Sequence, residues 1–170
     1  MRVRDLSLGI LSAAFVAIAP AAAEPRPWKA SDKPPEVAGI KLGDSEQHAL
    51  DVLGAPDEVT PNADSEVLQY VAKGLEVAAT KKDGVVAIHL LKPDAGSVDG
   101  IKVGDIARNV LLKWGAPSGG RDRTAEFITS RWTISVRLSN KEPTIIDLTL
   151  AYNSAKPPTD SSKVNVFRTQ

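Results

Sequence analysis

The sequence is notable first for what it lacks: it has no cysteine, one methionine, 5% aromatic residues and no net charge. Without cysteine there can be no disulfide, thiolate nucleophile, soft metal site or lipid attached to a signal-peptide cysteine. Lysine and arginine together number 21, as do aspartate and glutamate. There is no basic stripe for nucleic acid and no polybasic segment for anionic lipid, so neither is expected as a partner.

Long apolar runs are also missing after the first twenty residues. Arg2 and Arg4 precede the apolar run 6–20, and small residues follow it up to Ala23. This order is typical of a secretory signal peptide, cleaved here before Glu24. The run is shorter than the ~20 apolar residues that a membrane-spanning helix needs. We therefore expect a periplasmic mature chain without a membrane span or lipid anchor.

An internal repeat dominates the rest of the chain. Residues 39–56 (GIKLGDSEQHALDVLGAP) and 100–117 (GIKVGDIARNVLLKWGAP) align without a gap and agree at 9 of 18 positions. A repeat of this kind indicates two copies of one supersecondary unit. The predicted organisation is a signal peptide 1–23, a Pro-rich leader 24–36, repeat 1 at 37–91, a connector 92–97, repeat 2 at 98–152 and a polar tail 153–170.

Each repeat opens with the signals of a short helix of about nine residues. The expected N-caps are aspartates, the expected left-handed C-terminal residues are glycines, and prolines two residues later prevent continuation. These structural caps are Asp44, Gly54 and Pro56 in repeat 1 and Asp105, Gly115 and Pro117 in repeat 2. Gln47 lies where it could complete a capping box with Asp44. The buried stripe of the second helix is expected to comprise Ile106, Ala107, Val110, Leu111 and Trp114.

After each helix the hydrophobic period changes to two, which is typical of half-buried antiparallel strands. In repeat 1 the inward residues are expected to be Leu75, Val77, Ala79, Val86, Ile88 and Leu90, with a hairpin turn at Asp83-Gly84. In repeat 2 they are expected to be Trp132, Ile134, Val136, Leu138, Ile146, Leu148 and Leu150. With an earlier strand at about 66–72 and 124–129, each unit is a helix and a three-stranded antiparallel meander. The predicted fold is α+β: two such repeats share one core and leave one sheet face open.

The repeat resembles the small periplasmic modules of the SmpA/OmlA type, which share a helix-then-sheet plan with the beta-lactamase inhibitor protein. The strings that carry the resemblance are GIKLGD…LGAP, YVAKGLEV (70–77), DGVVAIHL (83–90) and GIKVGD…WGAP. The resemblance covers nearly all of 37–152 and implies a binding module rather than an enzyme. The lipid-bearing cysteine and the disulfides of those proteins have no counterpart here, and no binding residue is transferred.

No residue pattern points to catalysis or to a metal. His48 lies one helical turn from Asp44 and Asp51, a set that could bind a metal but that more simply forms a solvated polar face. Acidic residues 57–58 and 64–66 fall in an expected surface loop. The segment 118–121 (SGGR) could cradle an anion, although a flexible loop is the simpler interpretation. We therefore predict no catalytic residue, no metal site and no cofactor.

The open sheet face is the expected partner-binding surface. Its predicted members are Glu76, Ala78, Ala87, His89, Arg137 and Asp147. Small apolar residues there would leave a flat patch for a partner, or are merely tolerated on an exposed strand. The favoured function is a non-enzymatic periplasmic module that binds another envelope protein, as an assembly accessory or an inhibitor or immunity-type protein. The alternative is a small-ligand or cell-wall-fragment binder with its ligand between the repeats.

Overall fold

The computed structural model describes residues 26–29 and 31–153. The predicted signal peptide 1–23 and the tail from 154 to 170 lie outside the described residues. Within them the elements are α1 (Glu46–Leu53), β1 (Glu58–Pro61), β2 (Ser65–Tyr70), β3 (Leu75–Thr80), β4 (Gly84–Leu90), a 3-10 turn (Pro93–Ala95), α2 (Ala107–Trp114), β5 (Gly119–Arg121), β6 (Thr124–Ile128), β7 (Trp132–Leu138) and β8 (Ile145–Tyr152).

All eight strands form one open antiparallel sheet in the order β1-β2-β3-β4-β8-β7-β6-β5. The α+β class is therefore confirmed, with two helices and one eight-stranded sheet in the described part of the chain. The last strands of the two halves, β4 and β8, lie side by side at the centre of the sheet. The halves are thus joined by backbone hydrogen bonds as well as by side-chain packing.

Each half has four strands, so the predicted three-stranded meander is wrong. The additional strands are β1 and β5, which form the two edges of the sheet. They coincide with the segments expected to be loops, at 57–66 and 118–121. Proline and glycine are tolerated in edge strands because one side of the strand needs no ladder hydrogen bonds. Pro61 and Gly119–Gly120 therefore suggested loops where short edge strands form.

One hydrophobic cluster includes buried residues from both halves, among them Leu53, Leu75 and Ile88 with Trp114, Ile134 and Leu150. Both helices contribute to it, through Ala49 and Leu53 of α1 and Val110 and Trp114 of α2. The stripe expected on α2 is narrower than predicted, because Ile106 and Leu111 are 45% and 41% exposed. The helices therefore lie against one face of the sheet, with only a narrow strip of each buried.

A β-bulge in each half changes which residues face the core. The register shifts between Ala78 and Ala79 on β3, and between Arg137 and Leu138 on β7. Beyond the shift Val85 is fully buried in the main core, whereas Val86 packs with the small cluster on the opposite face. In the second half Ile145 is buried and Ile146 is 39% exposed. The predicted inward positions Val86 and Ile146 are thus wrong by one residue, since one inserted residue reverses the alternation.

The predicted N-caps Asp44 and Asp105 are also wrong. Ser45 caps α1, and its hydroxyl accepts a hydrogen bond from the backbone N–H of His48 at 3.1 Å. Ile106 occupies the equivalent position of α2 and provides no side-chain cap. The aspartates instead accept hydrogen bonds from residues three before them. The backbone N–H of Lys41 donates to Asp44 at 2.7 Å, and that of Lys102 donates to Asp105 at 3.0 Å. They close the turn before each helix, which explains why both repeats carry aspartate there.

Both helices end at the predicted glycines, in a conformation open to few other residues. Gly54 has φ 83° and ψ −168°, and Gly115 has φ 90° and ψ −159°. This region differs from the left-handed helical one that was expected, and it is essentially restricted to glycine. Pro56 and Pro117 lie two residues after these glycines, where a proline prevents the helix from continuing.

The leader packs against the second half through Trp28. Its ring makes edge-to-face contacts with Phe127 at 5.6 Å and with Trp132 at 5.8 Å between ring centroids. Trp114 makes a similar contact with Phe127 at 5.1 Å. The carbonyl of Arg26 accepts a hydrogen bond from the backbone N–H of Ala116 at 2.8 Å. This part of the leader is therefore attached to the domain beside the C-terminus of α2.

Candidate functional site

The six residues predicted to bind a partner lie on three cross-strand pairs of neighbouring strands. Glu76 of β3 faces His89 of β4, and Ala78 faces Ala87 on the same two strands. Arg137 of β7 faces Asp147 of β8. The cluster on this side, which contains Val67, Ala78 and Ala87, includes no helix residue. We call the side of the sheet opposite the helices, on which these six residues lie, the seam face.

The seam face is centred on a local two-fold axis that relates the two halves. Val85 exchanges backbone hydrogen bonds with Gly43 and Asp44, and Ile145 does the same with Gly104 and Asp105, so Val85 and Ile145 are equivalent. Four residues further on, His89 and Thr149 are equivalent as well. They face each other across the β4–β8 pairing. The axis therefore passes between His89 and Thr149.

The equivalence of the two bulges shows how the halves differ on this face. Ala78 pairs with Ala87 beside the extra residue Val86 of β4, and Arg137 pairs with Asp147 beside the extra residue Ile146 of β8. The Ala78–Ala87 pair of the first half is thus replaced by the Arg137–Asp147 pair in the second. Conversely, the Glu76–His89 pair is replaced by Ser135 facing Thr149. Each half contributes one charged pair and one pair of small side chains.

His89 links the two charged pairs. Its Nδ1 lies 3.3 Å from Glu76 Oε2, and its Nε2 lies 3.7 Å from Asp147 Oδ1. The Asp147 carboxylate also accepts hydrogen bonds from the guanidinium of Arg137. The His89 and Asp147 side chains are 6% and 8% exposed, whereas that of Arg137 is 55% exposed. The cluster is therefore a row of alternating charges, buried at its centre and open to solvent at Arg137.

The electrostatics of this row favour a protonated His89. Burial disfavours the charged imidazolium, but the negative charges of Asp147 and Glu76 and the hydrogen bond with Glu76 outweigh it, so the pKa of His89 is raised above 6.5. For Asp147, burial opposes ionisation, but His89 and Arg137 together lower the pKa of its carboxyl below 3.8. With His89 protonated, the two carboxylates are matched by two cations. Deprotonation would leave one unbalanced negative charge in a buried position.

Burial of the small residues corrects the prediction of an exposed flat patch. Ala78 is 2% and Ala87 is 9% exposed, and His89 is 4% exposed. The physical reason is local, because the larger side chains of Val67 and Val86 pack around the alanines. The accessible part of the face is therefore the half-buried second-half side, where Thr133, Ser135 and Thr149 lie. These residues were not predicted as site members, although their alternation with Trp132, Ile134 and Val136 already placed them on this face.

The remaining sequence candidates lie elsewhere. His48 is on α1, with Nε2 3.7 Å from Asp44 Oδ2 and a side chain that is 51% exposed. Among the described residues, no group of three or more His, Asp or Glu side chains is arranged to hold a metal ion.

Two cavities belong to single halves of the molecule. The larger, about 680 Å³, lies between the leader, α2 and β7 and includes Trp28, Leu112 and Trp132 in its walls. The smaller, about 440 Å³, is lined by residues of the first half, among them Asn62, Lys81 and Asp83. Neither cavity has walls from both repeats, so neither supports the alternative of a ligand held between them.

Comparison with known proteins gives a likeness of fold. No protein-family model matches the chain, and no curated protein sequence matches it. A cysteine-rich secretory protein from Staphylococcus aureus matches 75% of this chain with a TM-score of 0.54 and 14% identity. An extracellular protein containing an SCP domain from Bacillus anthracis matches 69% of the chain with a TM-score of 0.41 and 11% identity. The match spans 54% and 50% of those two chains, about half of their length.

The likeness of fold to the Staphylococcus aureus protein overturns the resemblance to SmpA/OmlA modules and to the beta-lactamase inhibitor protein. At 14% identity this likeness concerns the fold alone. The shared strings of the repeat are turn and cap residues, whose glycines, prolines and aspartates recur wherever a short helix must begin and end abruptly. In the ranges that the structure describes, no helix is long and apolar enough to cross a membrane.

Proposed function

We propose that the protein is exported to the periplasm and binds another envelope protein, without catalysis, through the seam face. The observation that carries the proposal is the row Glu76, His89, Asp147 and Arg137, which lies on the face of the sheet opposite the two helices of the described residues. A buried polar row of this kind is a rigid scaffold, because every charged group in it is held by a neighbour. Arginine, whose guanidinium is exposed at the end of the row, is one of the residue types enriched in binding hot spots.

The surroundings of the row suit a polar protein partner. Thr133, Ser135 and Thr149 are half-buried and carry hydroxyl groups that can donate or accept hydrogen bonds. Ile128, which faces Thr133 across the sheet, is 44% exposed and supplies an apolar contact at the rim. Residues that form a site on paired strands are positioned more rigidly than residues on loops.

Site-specific photo-crosslinking in envelope extract tests the binding face. A photoreactive phenylalanine analogue at Thr133 or Ser135 should form a covalent adduct with the same protein. The matched control is Val52, which is 42% exposed on α1, on the side of the helices. Replacing Arg137 with glutamine should reduce the adduct yield at both face positions. Equal adducts from Val52, or no adduct from either face position, would contradict the proposal.

Export is tested separately. Because Ala21-Ala22-Ala23 precedes Glu24, protein isolated from the periplasm should begin at Glu24 or within a residue or two. Intact mass spectrometry measures this directly, and a periplasmic chain that retains Met1 would show that no signal peptide is removed.

A further inference from the structure

The cavity beside the leader combines an apolar floor with cationic walls. Its floor contains the rings of Trp28, Trp114 and Trp132 together with Ile134 and the leucines of α2. Leu111 and Leu112 are 41% and 68% exposed, and Leu112 is the most exposed large apolar side chain among the described residues. A volume of about 680 Å³ is within the range of cavities that hold small organic ligands.

The charges around this cavity are mostly positive. Four cationic residues line it, Arg26, Lys29, Lys33 and Lys113, against the single carboxylate of Asp99. That carboxylate is already engaged: the Trp114 indole N–H donates to it at 3.1 Å, and Lys113 Nζ lies 4.0 Å from it. The excess of positive charge comes mainly from the leader.

We propose that this cavity is a binding site for small amphipathic organic anions. The apolar body of such a ligand would lie on the tryptophan and leucine side chains, where its burial is favourable. Its anionic group would lie among the leader lysines, which are strong hydrogen-bond donors to carboxylates, sulfonates and phosphates. The site is on the opposite side of the sheet from the seam face, so it is independent of the protein-binding function.

The chain provides its own reporter for this site. It contains three tryptophans in all, and all three line the cavity. Energy transfer from tryptophan to a bound naphthalene dye is therefore stronger for a dye molecule in this cavity than for one bound elsewhere on the protein surface. Two dyes allow the charge to be tested alone: 1-anilinonaphthalene-8-sulfonate is anionic, and N-phenyl-1-naphthylamine has the same ring system without the sulfonate.

The experiment titrates the chain from residue 24 onward with both dyes. We expect saturable energy transfer to the anionic dye and affinity about tenfold weaker for the neutral dye, as the loss of two exposed ionic contacts implies. Changing both Lys29→Glu and Lys33→Glu should weaken the anionic dye by a similar factor and leave the neutral dye unchanged. Unchanged binding of the neutral dye would show that the lysine changes remove positive charge without disrupting the cavity. Leu112→Gln should weaken both dyes severalfold.

The matched control is the pair Lys81→Glu and Lys82→Glu on the turn between β3 and β4, which changes the net charge equally at a distance from the cavity. It should bind both dyes as the parent does. Equal affinity for the two dyes would overturn the proposal, as would equal weakening by the two lysine pairs or absence of energy transfer. Photo-crosslinking at the seam face is unaffected by any of these outcomes.

Discussion

The two helix-terminal glycines provide a matched pair for testing how the leader is held. Gly54 and Gly115 have nearly the same backbone conformation, with φ 83° and 90°. A Cβ added at Gly54 would meet no atom within 4 Å, whereas one added at Gly115 would lie 2.1 Å from the carbonyl oxygen of Arg26. Gly→Ala therefore introduces backbone strain at both positions but a collision with the leader at only one.

The expected magnitudes follow from these contacts. Strain of this kind lowers the free energy of unfolding by about 1–3 kcal/mol at either site. At Gly115 the leader must also move, which breaks the hydrogen bond from Ala116 to Arg26 and disturbs the two edge-to-face contacts of Trp28. These losses add about 2–4 kcal/mol. Gly115→Ala should therefore be markedly more destabilising than Gly54→Ala.

The assay is urea denaturation of the chain from residue 24, monitored by far-ultraviolet circular dichroism. Each glycine variant is combined with Trp28→Ala in a double-mutant cycle. Once Trp28 is removed, the additional cost of Gly115→Ala should largely disappear, because the leader is already loosened. The effects of Gly54→Ala and Trp28→Ala should add. Equal costs at the two glycines, or additivity in both cycles, would refute the idea that Gly115 is required by the approach of the leader.

Three further predictions concern the charged row and the cohesion of the halves. The pKa of His89 is raised in the folded protein, so protonation of His89 stabilises the fold fully below about pH 6.5, the value of an unperturbed histidine. This stabilisation is lost as the pH rises through the folded-state pKa. The free energy of unfolding should therefore fall as the solution becomes alkaline. His89→Gln should remove this pH dependence of the free energy of unfolding, whereas His48→Gln, at a half-exposed site, should leave it unchanged. If the parent protein is equally stable across this pH range, the charged row does not stabilise a protonated His89. Asp147→Asn should lower the pKa of His89, as measured by imidazole NMR, and an unchanged value would show that Asp147 does not stabilise the imidazolium. Fragments 24–97 and 98–170 should each be largely unfolded by circular dichroism, because one cluster joins buried residues from both halves, and a cooperative melt of either near the temperature of the parent would show that the halves are independent.

The repeat and the change of period were sufficient to predict the fold class, because both are long-range patterns carried by many residues. The bulges were not predictable from these patterns. The extra residues Val86 and Ile146 are not glycines, so the alternation read from the sequence continues past the points where β4 and β8 reverse their faces. The inward positions Val85 and Ile145 could be assigned only from the pairing of strands.

The membership of the seam face was recoverable from alternation, but its internal contacts were not. The sequence placed Glu76 and His89 on one face because both lie on the polar side of their strands. It could not show that β4 and β8 are neighbours, since residues 91–144 separate them in the chain. The approach of Asp147 to His89, and hence the charge on the imidazole, depends on that pairing.

The axis between His89 and Thr149 has a consequence for how the two repeats diverged. If repeat 1 paired with an identical second copy of itself through its last strand, His89 at the axis would face His89 of that copy. Two histidines would then meet across the strands, and each imidazolium would repel the other at a Cβ separation of about 5 Å. Within a single duplicated chain the two positions can change separately, and threonine occupies one of them. One carboxylate from each repeat, Glu76 and Asp147, then lies beside the single histidine. The backbone is symmetric but the side chains of the seam face are not, so a partner can bind this face in only one orientation.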